Sequence, residues 1–240
     1  MDWRSACCVV IPCLNEAATI HNLVSRVQPF LPHILVIDDG SSDDTTAIAR
    51  RAGTQTLRHD KPQGKGAALL HGWTVARQQG FPWTMAMDGD GQHAPEDLPA
   101  FLRCAEQTGA RLVVGNRMAN PVGMPWLRRQ VNRWMSRQLS RLAGCDLPDT
   151  QNGFRLMHLD SWASLAIAAG HFEIESEILY RFAQAGHPIH FVPVQVIYER
   201  ERSKIHPLRD TLRWFHWFRA ARRESRLSIA SAVQPRFHSE

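Results

Sequence analysis

Asp88 and Asp90 stand one glycine apart in the stretch Trp83–Pro95, WTMAMDGDGQHAP. The apolar run Met85–Met87 before them reads as a buried strand, and Pro95 after them fits the first position of a helix. The two carboxylates then fall at the carboxyl end of a strand, where open α/β sheets bind ligands. Residues two apart in extended backbone point to the same side, so the pair would face one ligand together. Gly89 and Gly91 remove side chains and let a large ligand approach the backbone. Two carboxylates with coordination positions to spare suit Mg²⁺ or Mn²⁺ that substrate phosphates also hold. Asp-Gly repeats are common turn formers as well, so spacing alone leaves an acidic turn as the second reading.

The basic residues are nearly all arginine; the lysines are Lys61, Lys65 and Lys204. Guanidinium forks suit phosphate groups, although a GC-rich genome gives the same bias. Lys65 lies between two glycines at a helix start, a usual place for anion contact and also for an exposed lysine. Arg129, Arg133, Arg137 and Arg141 recur every four residues along a helix expected over Trp126–Leu142. Like charges at that spacing repel by a few tenths of a kcal/mol per pair, so the row points to an anionic partner or to a solvated face. The other side of that helix carries Leu127, Val131, Trp134, Met135 and Leu142. A second basic, aromatic helix is expected over Pro207–Leu227, with Trp214, Phe215, Trp217 and Phe218. Glu173, Glu175 and Glu177 open a further helix, where acids favour the N-terminal end.

These side chains need a scaffold, and the chain spells an alternating one. Strands are expected at Ala6–Ile11, Ile34–Ile37, Thr54–Leu57 and Leu112–Val114, separated by helical patterns. The first helix carries Ile20, Leu23, Val24 and Val27, with Asn15 as its N-cap. Pro95–Gln107 and Glu173–Gln184 read as helices, and Ile189–Ile197 alternates like a strand. Strand and helix in turn predict an α/β fold with a mostly parallel sheet. One domain is expected over 1–228, with a polar tail over 229–240. The net charge of +5 goes with ordinary globular composition, 44% apolar and 21% charged. Five cysteines, odd in number and without CxxC spacing, read as reduced thiols in a cytosolic protein. The N-terminal apolar run is short for a signal peptide, and no run of about 18 apolar residues is present to span a membrane.

Several motifs occur in one order: IPCLNE (Ile11–Glu16), IDDGSSDDT (Ile37–Thr45), GKGAAL (Gly64–Leu69), DGDGQH (Asp88–His93), GNR (Gly115–Arg117), DTQNGFR (Asp149–Arg155) and RSKI (Arg202–Ile205). The series resembles the family 2 glycosyltransferases with the GT-A fold, most of all the dolichyl-phosphate and polyprenyl-phosphate sugar synthases. It runs from about Ala6 to Trp214. The resemblance implies a Rossmann-like, mostly parallel sheet flanked by helices, with amphipathic C-terminal helices. It implies inverting, metal-dependent transfer from a nucleotide sugar of the GDP-mannose or UDP-glucose type to a lipid phosphate. Asp88, Asp90 and Arg117 would carry the catalysis.

By the same resemblance, Pro12, Leu14 and Glu16 match the first nucleotide-contact loop. Asp39, with Ile37 and Asp38 beside it, matches the position that holds the donor's base or ribose; helix capping is the alternative for those two acids, although Ser42 or Asp43 already suffices for it. Lys65, Asp88, Gly89 and Asp90 complete the donor side, and Asp88, Asp90 and Gln92 match the Mg²⁺ or Mn²⁺ site. Arg117, Arg128 and Asn132 match the acceptor-phosphate positions, with Arg129 a rival to Arg128 and Asn132 standing where this branch usually has serine. Arg202 and Lys204, with Arg200 and Ser203, match a basic loop over the donor. A lipid monophosphate is already a competent nucleophile and needs no strong base. A hydroxyl acceptor would need one, with Glu173, Glu175 or Asp149 as candidates. The implied setting is cytoplasmic, peripheral at the inner face of the cell membrane, on anionic lipid. A membrane-protein partner is compatible with it and nucleic acid is not expected. The rival readings are transfer to a hydroxyl of a glycan or other lipid, and a catalytically inactive nucleotide-binding scaffold.

Overall fold

Apolar runs with no polar face become strands covered on both sides, and the central strands here are buried along nearly their whole length. The computed structural model describes residues 1–167, 173–195, 197 and 207–233. In chain order the first part runs α1 (Trp3–Ala6), β1 (Cys7–Cys13), α2 (Ile20–Val27), β2 (Ile34–Asp38), α3 (Thr45–Arg51), β3 (Gln55–Arg58), α4 (Lys65–Gln78) and β4 (Trp83–Ala86). Then follow α5 (Leu98–Thr108), β5 (Leu112–Asn116), α6 (Trp126–Ala143), β6 (Arg155–His158), α7 (Leu159–Ala163), α8 (Ile174–Gln184) and β7 (Ile189–Pro193). Two compact units divide the chain, Met1–Arg202 and Ser203–Glu240. The second unit contains α9 (Pro207–Val233), in which the Trp214 ring stacks on Phe218 one turn on, 4.9 Å between centroids. Among the described residues no helix is long and apolar enough to cross a membrane.

The strands of the first unit form one sheet in the order β3-β2-β1-β4-β6-β5-β7. Every pairing is parallel except the two made by β6, which runs antiparallel between β4 and β5. The sheet is therefore mostly parallel, as expected. Cys7, Val9, Ile11 and Cys13 of β1 face a core shared with Ile20, Leu23, Val24 and Val27 of α2 and Phe101 of α5. On the other face α4 lies directly on the sheet. A Cβ at Gly72 would come within 2.4 Å of a Val10 methyl, so only glycine fits where helix meets strand.

Several boundaries differ from the sequence reading. The strand expected at Met85–Met87 lies at Trp83–Ala86, because the chain turns away at the glycines that follow. Pro95 opens a short 3-10 turn, Pro95–Asp97, before α5. The alternation expected over Ile189–Ile197 is strand only through Pro193. Asn15 does not cap α2, which begins after Thr19. Asn15 instead adopts φ +55°, and its Oδ1 accepts the Ser42 N–H at 2.8 Å. Asparagine tolerates that left-handed conformation better than most residues. Here it joins two loops rather than starting a helix. On α6 the apolar row is split: Met135 is buried with Asn132, Ser136 and Leu139, while Leu127, Val131 and Trp134 are exposed, together with Trp126.

Candidate active site

Strand order reverses at β1, which has β2 on one side and β4 on the other. Ligands of open α/β sheets bind outside the carboxyl ends at such a point, and three loops are stapled together there. The Asn15 and Glu16 N–H groups donate to Ser41 Oγ and Thr45 Oγ1, at 2.9 and 2.8 Å. Thr19 Oγ1 donates to the Gly89 carbonyl at 2.7 Å. A Cβ on Gly89 would sit 2.7 Å from Cys13 Sγ, so a side chain here would push the loop carrying Asp88 off the end of β1. Pro12, Leu14, Glu16, Ile37, Asp39, Asp88, Gly89, Asp90 and Gln92 thus gather at one edge of the sheet, in or beside the loops after β1, β2 and β4.

Asp38 and Asp39 both perform structural work in the structure. Asp38 is fully buried and accepts the Ser41 N–H and the Thr46 hydroxyl. Asp39 accepts the N–H groups of Gln63 and Gly64, at 2.9 and 2.7 Å, and pairs with His59 Nδ1 at 2.7 Å. It therefore fixes the entry to α4, and with it Lys65, the first residue of that helix. His59 Nε2 in turn meets His71 Nδ1 at 2.9 Å. Nothing in the sequence flagged that His59 would reach Asp39.

The antiparallel β6 gives the site its second half. Because β6 pairs Arg155 with Ala86 and Val114, the loop before it, not after it, lies at the carboxyl ends of β4 and β5. That loop is the DTQNGFR motif. Asp149 is fully buried and takes Arg117 in a forked pair, Nε to Oδ2 and Nη2 to Oδ1, each at 2.8 Å, with the Arg117 N–H also on Oδ2. Burial alone would raise the Asp149 carboxyl, but Arg117 and the backbone donors hold it below its ordinary value. Arg155 is buried and binds the carbonyls of Asn152, Thr150 and Glu175. Burial pulls it down to about 10, against the attraction of Glu175 and Asp149, so it is charged at neutral pH. A buried arginine inside the apolar run FRLM was the available sign of this clamp.

Lys65 reaches the same place. Its Nζ lies 2.6 Å from Asp88 Oδ1 and 2.8 Å from Glu175 Oε1. Desolvation would lower its pKa, but the two carboxylates raise it above the ordinary lysine value. Asp88 is the reverse case: burial pushes it up, while Lys65, His93 and Arg117 bring it below the usual carboxylate range. Burial pushes the His93 imidazole below its ordinary value, against the pull of Asp88 and Asp90. Its Nδ1 accepts the Asp88 N–H at 3.1 Å and its ring stacks on Phe154. His93 therefore braces the loop. Asp90 is less occupied: Oδ1 accepts the Gln92 N–H at 3.0 Å, a turn contact.

Among the described residues no three His, Cys, Asp or Glu side chains converge as a metal cage. The chemistry of Asp88 and Asp90 still fits Mg²⁺ or Mn²⁺, since such ions keep several positions for water and substrate phosphate. The space around Gly91 fits too, with nothing nearer its missing Cβ than Thr19 at 3.8 Å. Arg128 and Asn132 lie one turn apart on α6, Asn132 on its buried face. Asn132 Nδ2 and Arg129 Nε are buried donors without an acceptor among the described residues. Arg200, Arg202, Ser203 and Lys204 lie outside the described residues.

The geometry agrees with what known proteins show. This chain is 33% identical over 159 residues to the polyprenol monophosphomannose synthase of Mycolicibacterium smegmatis, covering 61% of this chain and 59% of that one. It is 28% identical over 207 residues to the undecaprenyl-phosphate mannosyltransferase of Micrococcus luteus, covering 80% and 83%. In fold it is similar to glucosyl-3-phosphoglycerate synthase from Mycobacterium tuberculosis, solved with Mn²⁺, uridine diphosphate and phosphoglyceric acid. The TM-score is 0.68 at 24% identity, covering 93% and 81% of the two chains. The sheet and its flanking helices are thus those of the GT-A glycosyltransferases. The model of the glycosyl transferase family 2 matches residues 8–163, and the chain belongs to that family of glycosyltransferases.

Proposed function

We propose that this glycosyltransferase moves a sugar from a nucleotide sugar to a polyprenyl-type lipid phosphate at an anionic membrane surface. The observation that carries the reading is α6, which offers two things a lipid phosphate needs. On its inner side Asn132 Nδ2 and Arg129 Nε are buried donors without acceptors, one turn apart and close to the Arg128 position. A phosphate supplies acceptors and charge for such donors. On its outer side Trp126, Leu127 and Val131 are exposed, at 66%, 67% and 38%, with Arg133, Arg137 and Arg141 also exposed. An amphipathic helix of that kind settles into the headgroup boundary of anionic bilayers. The names of the two lipid-phosphate relatives support the same acceptor class. Asp149, one candidate base for a hydroxyl acceptor, is tied to Arg117, and Glu175 is tied to Lys65. A phosphate nucleophile asks for no such base.

On the donor side, Asp88, Asp90 and Gln92 would hold Mg²⁺ or Mn²⁺ beside the donor's diphosphate. The ion's contribution would be to neutralise the charge on the leaving nucleoside diphosphate. Arg117, fixed by Asp149, would present a stationary cation to the acceptor. The test is a panel of nucleotide sugars given with Mg²⁺ or Mn²⁺ and one of three acceptors: polyprenyl phosphate, the unphosphorylated polyprenol, or phosphoglycerate. Labelled lipid should form from polyprenyl phosphate alone. Equal transfer to polyprenol would move the function to a hydroxyl acceptor, and transfer to phosphoglycerate alone would remove the lipid.

The membrane part carries its own prediction. Trp126→Ser with Leu127→Ser should lower binding to phosphatidylglycerol-containing vesicles by at least about tenfold, since each large side chain contributes about 1.5–3 kcal/mol when fully buried. Co-sedimentation reads it directly. Binding unchanged in the double variant would remove α6 from the membrane contact.

A further inference from the structure

Lys65 joins two carboxylates that belong to different halves of the site. Asp88 follows β4 and Glu175 begins α8, and the ammonium sits between them at 2.6 and 2.8 Å. Nothing separates the three groups. Gly153 passes so close that a Cβ there would be 2.9 Å from Lys65 Nζ and 3.0 Å from Asp88 Oδ1. Among the described residues only one oxygen of Glu175 is engaged; Oε2 is buried and has no hydrogen-bond partner there. A buried carboxylate oxygen left without a donor is costly, and it lies on the residue that already holds Lys65.

We propose that Lys65 is an exchangeable resident cation on Asp88, and that Glu175 is the positioning residue that takes it over when a divalent ion arrives. The inference rests on the metal reading of Asp88 and Asp90 given above. An ammonium and a divalent ion on one carboxylate repel strongly in a site of reduced dielectric. Lys65 therefore has to give up Asp88, and the second oxygen of Glu175 replaces the bond it loses. Lys65 never leaves its partner, so the movement is a side-chain rotation about an anchored ammonium. The site keeps a cation on Asp88 in both states, and Asp88 is never left as a lone anion.

The test is Mn²⁺ affinity without nucleotide and without turnover, read from the free-ion electron paramagnetic resonance signal. Lys65→Met should tighten Mn²⁺ by at least about tenfold, because the competing charge is gone. Glu175→Gln should loosen it, since Lys65 then has Asp88 as its only anionic partner of the two. In the Lys65→Met background, Glu175→Gln should leave the affinity unchanged, because Glu175 acts through Lys65. The proposal is overturned if Lys65→Met does not tighten Mn²⁺, or if Glu175→Gln loosens it equally in both backgrounds, which is the behaviour of charge acting through space. Should Lys65→Met not fold, Lys65→Gln carries the same expectation. Failure of the metal reading itself looks different: Mn²⁺ would bind wild type and Asp90→Ala alike, or neither, and the exchange would fall with it.

Discussion

Asp90→Ala should lower sugar transfer by roughly 10²–10³, the usual loss when one preorganised electrostatic contact to developing charge is removed. The fold should survive. The Asp90 side chain makes one bond in its loop, to the Gln92 N–H, and a single hydrogen bond to a half-buried carboxylate contributes about 1.5 kcal/mol. Asp88 is the poorer probe, because its loss would also take from Lys65 one of the two carboxylates that hold it. Two measurements settle the matter: initial rate with saturating donor, and calorimetric binding of UDP or GDP with and without Mn²⁺. Metal-dependent nucleotide binding should vanish in Asp90→Ala while the thermal midpoint stays near that of wild type. Unchanged metal-dependent binding would take the ion away from this loop.

Asp149→Ala should be the most damaging change to stability near the site. It leaves Arg117, which is 7% exposed, without the carboxylate that takes its Nε, Nη2 and backbone N–H. Removing one partner of a buried ion pair costs about 3–5 kcal/mol, or a drop of roughly 6–20 °C in midpoint for a chain of this size. Thermal unfolding at neutral pH measures it; a shift under about 2 °C would mean that Arg117 finds water once released. The pH dependence has a definite sign. Asp149 is held below its ordinary value, so its contribution is complete above about pH 4 and is lost as pH falls through the lowered value. Asp149→Asn is neutral throughout, so its deficit against wild type should shrink on acidification.

The gathering of the loops after β1, β2 and β4 was legible because its signals are local. DGDGQH sits between a strand and a helix start, and two glycines beside carboxylates say where backbone must come close. The structure places those residues at the sheet edge that the α/β pattern called for. Glu175 was visible only as one of three acids at a helix start. Its pairing with Lys65 depends on how the starts of α4 and α8, far apart in the chain, come together, and no spacing within either segment reports that. Asn15 was misread because asparagine caps helices and also accepts a left-handed turn, and the partner that decides between them, Ser42, is a loop away. On α6 the apolar row showed an amphipathic helix without saying which side meets the core. The helix buries Asn132 and Ser136 beside Met135 and Leu139, and periodicity alone does not say which side a surface claims.

Because β6 runs antiparallel to both neighbours, the segment 117–154 leaves the sheet and returns to it at the same edge. Its ends are clasped: Asn152 Nδ2 donates to the Gly115 carbonyl at 2.7 Å, the Gly115 N–H to the Phe154 carbonyl at 3.0 Å, and Arg117 locks onto Asp149. A segment closed at its base behaves as a cartridge. Its interior can lengthen, shorten or change sequence at small entropic cost, since loop closure grows only slowly with length, and β4 with its carboxylates need not move. If the proposed acceptor role of α6 holds, grafting 118–148 from a relative with a different acceptor, while keeping Gly115, Arg117, Asp149 and Asn152, is therefore a route to exchanging the acceptor without rebuilding the loops after β1, β2 and β4.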